Sequence, residues 1–175
     1  MIGLEPGIVR VVRYEQDWKA LFEQEKQLLD LAIGGYAEFI EHVGSTAVTG
    51  LDAKPIIDIA VALASIELAD RCVEPLRRLG YRYKGEYGIA GRHYFVKGNP
   101  RTHHLHMVES GSEFWENHLL FRNHLRDNPD AANEYRELKL MLAGKYPNDR
   151  DAYQSGKSEF INRVLAEARS EFSLA

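Results

Sequence analysis

A glycine and two hydroxyl residues, Gly44, Ser45 and Thr46, follow an apolar segment that reads as a strand. Glycine at a strand-to-helix turn lets backbone N–H groups approach an anion closely, and the adjoining hydroxyl supplies a further donor. The pattern therefore predicts a phosphate-binding turn. The same residues also suit a tight turn in which Ser45 caps a helix, and the sequence leaves both interpretations open.

Asp58 interrupts the most apolar run in the chain, residues 56–64. Alternation along a strand places Asp58 on one face with two alanines, and the branched apolar residues on the other face. A charge in such a strand requires a partner or a function. We expect Asp58 either to point toward a face with room for a ligand or to pair with a nearby Lys or Arg.

Three histidines, His103, His104 and His106, occupy one predicted strand. Their spacing places His104 and His106 side by side on the face opposite His103. Two imidazoles so placed can bind one metal ion or one phosphate, or can hydrogen-bond within a polar sheet face. Lys54 and Arg92 are candidates for the positive charge that a phosphate needs, although each is also typical of a solvated surface.

The elements that must position these residues are read from apolar periodicity and from the turn residues between segments. Strands are predicted over residues 8–14, 37–43, 56–64, 81–83, 92–97 and 102–109, the last two as an antiparallel hairpin. Helices are predicted over residues 18–33 with Asp17 as the cap, 66–79, 114–126, 128–144 and from 160 to about 168. We therefore predict one α+β domain over residues 1–175, with a mixed sheet in residues 1–110 and a helical C-terminal half in residues 111–175.

Composition excludes several classes of function. The net charge of -4 and the pI of about 6.0 argue against non-specific binding of nucleic acids. The only cysteine, Cys72, excludes an intrachain disulfide and a zinc site with several thiolates. No run of about 18 apolar residues indicates a membrane span, so we expect a cytoplasmic protein that binds a small molecule.

Several segments together resemble the signature of the GrpB family. They cover nearly the whole chain: residues 40–48, 50–51 and 53–59, the histidines at 103, 104 and 106, Phe121 with Arg122, and Tyr153 with Lys157. The resemblance makes Arg122 and Lys157 further candidates for contact with a ligand, because both match family positions in a region that can close over one. As bases on helices, both are also typical of solvated faces or ion pairs.

The GrpB family is similar to the polymerase-beta-like nucleotidyltransferases, which implies a nucleotidyltransferase-like mixed sheet with flanking helices. In that superfamily a Gly-Ser turn precedes a strand with two acids, which hold Mg²⁺ or Mn²⁺ at the triphosphate. Here Asp58 matches the first acid, whereas Ala60 replaces the second. A metal held by Asp58, His104 and His106 instead would be better suited to Mn²⁺, Zn²⁺ or Ni²⁺ than to Mg²⁺.

Three functional hypotheses follow. The first is a metal-dependent transferase that moves a nucleotidyl group from an NTP to a small acceptor, with Asp58, His104 and His106 as catalytic residues. The second is an inactive module that binds a nucleotide or a coenzyme A precursor and serves a partner enzyme of coenzyme A metabolism, and the loss of the acid at Ala60 motivates it. The third is a metal-dependent phosphoester hydrolase that uses the histidines.

Overall fold

A computed structural model describes residues 2–173 as an open sheet with helices on both faces. The strands are β1 (Ala37–Val43), β2 (Ile57–Leu63), β3 (Tyr81–Tyr83), β4 (His93–Lys97) and β5 (His103–Glu109). The helices are α1 (Asp17–Ile33), α2 (Ala69–Arg78), α3 (Glu113–Asp127), α4 (Pro129–Lys145), α5 (Arg150–Ser155) and α6 (Ser158–Ser173). Two short 3-10 helices, Ser45–Ala47 and Ile66–Leu68, lie in the loops. The predicted α+β class is confirmed.

The sheet is mixed, with the strand order β1-β2-β5-β4-β3. β2 and β5 are parallel neighbours at its centre, whereas β1, β4 and β3 pair antiparallel to their neighbours. The predicted hairpin of β4 and β5 is confirmed. Because β2 and β5 pair in parallel, the acid-bearing strand and the histidine-bearing strand lie side by side.

The face of the central strands that carries the branched apolar side chains forms the main core. Ile57, Ile59 and Val61 of β2 pack with Leu105 of β5 and with apolar residues of α1 and α2. Such a face excludes water, and this accounts for the apolar run in β2. Asp58 is consequently directed to the opposite face, as alternation predicts.

The opposite face is only partly covered by α3. Ala60, Ala62 and Val108 pack there against Trp115 of α3. A separate apolar cluster joins the loop after β1 to the helical half, and it contains Val48, Leu51, Leu125, Tyr135, Phe160 and Val164. The helical half therefore covers both the end of the sheet and the loop that contains Gly44.

Two local predictions are corrected by the structure, and one short helix is observed that the sequence does not predict. Residues 8–14 form no strand; Val12 makes a single antiparallel bridge with Ala53, because the segment runs along a loop and not along a sheet edge. Asp17 is the first helical residue and not the cap, since the cap position is Gln16. The short helix α5, capped by the Asp149 side chain, was not predicted because its six residues carry too little periodicity. No helix within residues 2–173 has the length and apolarity needed to cross a bilayer.

Candidate functional site

Asp58, His104 and His106 meet on one face of the central strands. The register places Asp58 beside His104 and Ala60 beside His106. Asp58 Oδ1 lies 3.0 Å from His104 Nδ1 and 3.9 Å from His106 Nε2. The two histidines are nearly buried, whereas the Asp58 side chain is 32% exposed. The predicted juxtaposition of these three side chains is therefore observed.

The hydrogen bonds assign the protons of both imidazoles. Burial raises the pKa of Asp58, but the hydrogen bond from His104 and the nearby His106 ring outweigh it and hold the pKa well below its usual value, so the carboxylate is ionised. His104 Nδ1 must therefore donate to it. The Arg92 guanidinium approaches His106 Nδ1 at 3.3 Å, which leaves the proton of His106 on Nε2, facing Asp58. Burial also lowers the pKa of His106 to about 4, so this ring is neutral.

This proton arrangement is unfavourable for one metal ion shared by Asp58 and the two histidines. Each ring directs a protonated nitrogen toward Asp58, and reversing the tautomers would leave a buried N–H of His104 without a partner. Within residues 2–173 no three His, Cys, Asp or Glu side chains are arranged to hold a metal ion. Of the predicted ligands, only Asp58 offers a free anionic oxygen. The metal itself remains a prediction.

Gly44 lies directly against Asp58. Its φ is +72°, and a β-carbon built on it would stand 2.7 Å from Asp58 Oδ2. Only glycine tolerates both the left-handed backbone and this close approach. The turn and the acid, which are separate motifs in the sequence, therefore form one structural unit.

Three lysines are added to this region, Lys54 from the loop before β2 and Lys139 and Lys157 from the helical half, and they are here called the lysine cluster. The Nζ atoms of Lys54 and Lys157 lie 5.3 Å and 4.7 Å from the centre of the Tyr153 ring. Lys139 is fully buried, donates to the carbonyl oxygen of Asp52 and lies over the Tyr135 ring. Among the described residues, no member of the cluster forms an ion pair with a carboxylate. The cluster is therefore a concentration of basic side chains that have no direct ion-pair partner.

Electrostatic effects connect the lysine cluster to Asp58. Burial lowers the pKa of Lys157 to about 7; repulsion by Lys54 adds to the effect, and the Asp58 charge opposes it. Burial likewise lowers the pKa of Lys139 to about 7, with Lys157 contributing, and lowers the pKa of Lys54. Strongly shifted lysines that share one region are a feature of ligand-binding sites.

Several residues that contribute to this region gave no signal in the sequence. The Tyr94 ring of β4 lies against both histidine rings, with centroids 5.6 Å from His104 and 5.1 Å from His106. Burial raises the pKa values of Tyr94 and Tyr135, and Arg150 and Ser45, respectively, partly oppose that effect. Lys139, Tyr135 and Arg150 come from helices remote in sequence from the turn. A periodic helix pattern shows which residues face the core, but not which strand end they meet.

Two other predicted phosphate ligands have structural partners. Thr46 is buried, donates to the carbonyl oxygen of Ile56 and contacts His42. Arg92 is buried as well, and it donates to the carbonyl oxygens of Glu86 and Tyr87. Arg92 is near the site through its contact with His106, whereas the Thr46 hydroxyl is occupied.

Arg122 lies elsewhere, on the outer side of β1. Its guanidinium donates to Glu41 at 2.6 Å and to the carbonyl oxygen of His42 at 2.8 Å. There it lines a groove of about 720 Å³ between α1, the loop after β1 and the start of α4. Asp58, His104 and His106 do not line this groove. The structure therefore does not bring Arg122 together with the lysine cluster.

Comparison with known proteins agrees with the resemblance. The family model described as GrpB protein matches residues 8–167. The chain belongs to the GrpB family. The match includes Gly44, Asp58, both site histidines and every member of the lysine cluster.

Relatives of this GrpB chain include proteins of similar and of greater length. It is 39% identical to the glutamate-rich protein GrpB of Alkalihalophilus pseudofirmus, covering 95% of this chain and 99% of that protein. It is 43% identical to UPF0157 protein YqkA of Bacillus subtilis, of which it spans 47%. A crystal structure of conserved protein GrpB from Enterococcus faecalis matches with a TM-score of 0.87 at 39% identity, over 93% of this chain and 99% of that one. The fold described here is therefore similar to that of a solved GrpB protein.

A more distant match is to a protein named dephospho-CoA kinase from Mycolicibacterium paratuberculosis. The identity is 29% over 186 aligned positions, which cover 91% of this chain and 46% of that protein. The GrpB-like region is thus about half of that longer protein.

Proposed function

We propose that this GrpB protein binds a nucleotide or a closely related phosphorylated small molecule. The phosphates would lie between the Gly44–Ser45 turn and the lysine cluster, with Lys54 and Lys157 as the principal contacts. The observation that carries the proposal is the concentration of lysines without ion-pair partners beside the ionised Asp58 and the glycine turn. The second hypothesis from the sequence is the one that this geometry supports best.

The electrostatic reason is the free energy cost of the lysine cluster without a ligand. Ammonium groups that are partly or fully buried and repel one another lose hydration without forming an ion pair, and the lowered pKa values of Lys139 and Lys157 express that cost. A polyphosphate would supply several acceptor oxygens and the missing negative charge. Binding energy would then compensate for the instability of the empty site.

Asp58 gives the proposed site a second feature. A carboxylate beside a phosphate is repulsive unless a cation lies between them, so its presence supports a ligand that arrives with a divalent cation. Mg²⁺ is commonly held by one or two carboxylates together with substrate phosphates. Asp58 would serve as the protein ligand, while His104 and His106 would orient its carboxylate by hydrogen bonds.

The relative named dephospho-CoA kinase supports including coenzyme A precursors among the ligands. Dephospho-coenzyme A contains both an adenine base and a pyrophosphate. A role beside a partner enzyme of coenzyme A metabolism is compatible with the occurrence of a GrpB-like region within that longer protein.

Calorimetric titration tests the proposal. The ligands are ATP, GTP, CTP, UTP, dephospho-coenzyme A and inorganic tripolyphosphate, each with and without Mg²⁺. We expect binding of the phosphorylated compounds that is stronger with Mg²⁺ and is weakened by Lys157→Met. Absence of binding for the entire panel would reject the proposal.

Nucleotidyl transfer is the second candidate, and the contact between the Gly44 turn and Asp58 favours it. An acceptor hydroxyl would attack the α-phosphorus and lose its proton, while the bond to pyrophosphate breaks. Ala60 argues against the two-metal form of this reaction, because it is fully buried under Trp115 where the second acid would stand. Release of pyrophosphate together with a nucleotidylated acceptor by the wild type, both lost in Asp58→Asn, would establish transfer. No specific contact favours phosphoester hydrolysis.

A further inference from the structure

Tyr87 presents an exposed aromatic ring beside the candidate site. It lies in the loop between β3 and β4, and 56% of the residue is exposed. Its ring stacks on Tyr94, with centroids 5.3 Å apart and planes at 29°. Tyr94 is buried, and its ring lies 5.1 Å from that of His106. A continuous row of rings therefore connects the exposed Tyr87 to the residues around Asp58.

The backbone of Tyr87 is held in an unusual conformation. Its φ of +48° makes it the single non-glycine residue in the left-handed region within residues 2–173. That conformation costs a side chain such as tyrosine about 1–2 kcal/mol. Glycines at 85, 88 and 91 share the positive φ in this loop, so tyrosine is the exception there.

Arg92 stabilises this conformation. The buried guanidinium donates to the carbonyl oxygens of Glu86 and Tyr87 at 3.0 Å and 2.9 Å. The Glu86 side chain in turn accepts from the Gly91 N–H at 2.7 Å. The same guanidinium lies 4.8 Å from the centre of the Tyr94 ring, so one cation fixes both the loop and the inner ring of the stack.

The stacking of Tyr87 on Tyr94 by itself adds little to the stability of the folded protein. One face of the Tyr87 ring packs on Tyr94, and the other face is left to solvent, so the strained residue buries little apolar area. Strain retained at an exposed residue next to a binding site indicates a role in ligand contact. The free face of a preorganised aromatic ring suits a planar group, since aromatic pairs gain stability by stacking.

We propose that Tyr87 is the stacking platform for the base of the bound nucleotide. This inference rests on the proposed function, and it adds that the ligand carries a planar base. Because stacking increases with ring area, a purine should bind better than a pyrimidine. Stacking requires no base-edge contacts, so adenine and guanine are accepted alike.

The test compares ligands with and without a base on variants that keep the fold. Tyr87→Gly removes the ring. Because the positive φ of residue 87 suits glycine, the melting temperature of this variant should not fall. Tyr87→Phe keeps the ring. Tyr83→Ala is the matched control, because Tyr83 is 41% exposed, stacks on His93 and contacts the Phe95 ring, on the other side of the sheet. Affinities for ATP, CTP and tripolyphosphate are measured by calorimetry.

We expect Tyr87→Gly to weaken ATP binding by about 5- to 100-fold, the range that corresponds to loss of one stacked base. Tripolyphosphate should bind all variants equally, and Tyr87→Phe and Tyr83→Ala should bind ATP like the wild type. The adenine H2 and H8 resonances should move upfield on binding to the wild type and not on binding to Tyr87→Gly.

The outcomes separate the two proposals. Unchanged ATP affinity in Tyr87→Gly, together with binding of tripolyphosphate, would overturn the stacking platform and leave the phosphate site intact. Equal affinity of the wild type for ATP and tripolyphosphate would overturn it too. If neither compound binds the wild type, the proposed function fails and the platform fails with it.

Discussion

The carboxylate of Asp58 lies against the α-carbon of Gly44, so closely that a β-carbon on residue 44 would stand 2.7 Å from Asp58 Oδ2. This contact brings the turn after β1 to the carboxylate at the start of β2. It explains why residue 44 must be glycine for two independent reasons, its backbone conformation and the neighbouring carboxylate. Five predictions follow from it and from the surrounding charges.

Gly44→Ala is expected to lower the free energy of unfolding by about 3 kcal/mol, because left-handed strain and a steric clash with Asp58 add. Gly50→Ala is the matched control: its φ is +80° in the same loop, but a β-carbon there meets no atom within 4 Å. We expect that variant to lose only about 1 kcal/mol. Urea unfolding measures both, and equal losses would contradict the steric role of Asp58.

Asp58→Asn should make stability less sensitive to acid. The pKa of Asp58 is lowered in the folded state, so its contribution is complete above the unfolded pKa of about 3.9 and is lost as the pH falls below that value. At neutral pH we expect the variant to be less stable by about 1 kcal/mol, because asparagine keeps the hydrogen bonds and loses the charge. Urea unfolding at about pH 7 and about pH 3 measures the difference between the two proteins. A difference that does not shrink in acid would refute this assignment.

Lys157→Met should stabilise the protein while weakening ligand binding. The pKa of Lys157 is lower in the folded state than in the unfolded chain. Below a pH of about 7 the side chain is protonated in both states, so the folded state then bears the full cost of burying the charge. Because Lys157 is partly exposed, we expect a gain of about 1 kcal/mol, or about 2–4 °C in melting temperature. Affinity for ATP should fall about tenfold or more.

Lys145→Met is the control for that substitution. Lys145 also lies over a tyrosine ring, 5.1 Å from the centre of Tyr146, but it is exposed. Its replacement should change neither the melting temperature nor the affinity for ATP. Equal changes of melting temperature and of ATP affinity in Lys157→Met and Lys145→Met would show that Lys157 is neither destabilised by burial nor part of the binding site.

Ligand binding should be accompanied by proton uptake at about pH 8. Lys139 and Lys157, with pKa values of about 7, are mostly neutral there, and a bound polyphosphate raises their pKa values. A terminal phosphate, with a second pKa of about 6, is already ionised, so the protons enter the protein. Calorimetry in buffers of different ionisation enthalpy measures the uptake. Proton release, or no exchange at all, would contradict a lysine-lined phosphate site.

Ala60→Asp should destabilise the protein by about 3 kcal/mol or more, and should not create a metal site. Ala60 is fully buried beside His106 and beneath Trp115, so a new carboxylate would lose its hydration. Ala62→Asp, in the same cluster, is the comparison and should be equally harmful. Thermal unfolding with and without Mn²⁺ tests this prediction. A rise in melting temperature on addition of Mn²⁺ that occurs in Ala60→Asp and not in Ala62→Asp would show that the new carboxylate does create a metal site.

The sequence by itself determined the sheet strands that matter for the site and the direction of their side chains. A period of two was sufficient to separate Asp58 from the branched apolar residues of β2, and His104 and His106 from His103 in β5, because alternation is a property of any strand. The same local rules identified the glycine turn and the long helices. They failed for residues 8–14 and for α5, where the segments are too short for periodicity to distinguish a loop from an element.

Only the tertiary structure decided which groups surround these residues. The parallel pairing of β2 with β5 brings the acid to the histidines, and the packing of α4 and α5 brings Lys139 and Tyr153 to the turn. The same packing separates Arg122 from the site and buries the Thr46 hydroxyl. The physical reason is that long-range pairing depends on the sum of many weak contacts over the entire core, whereas a sequence pattern records only which face of each element is apolar.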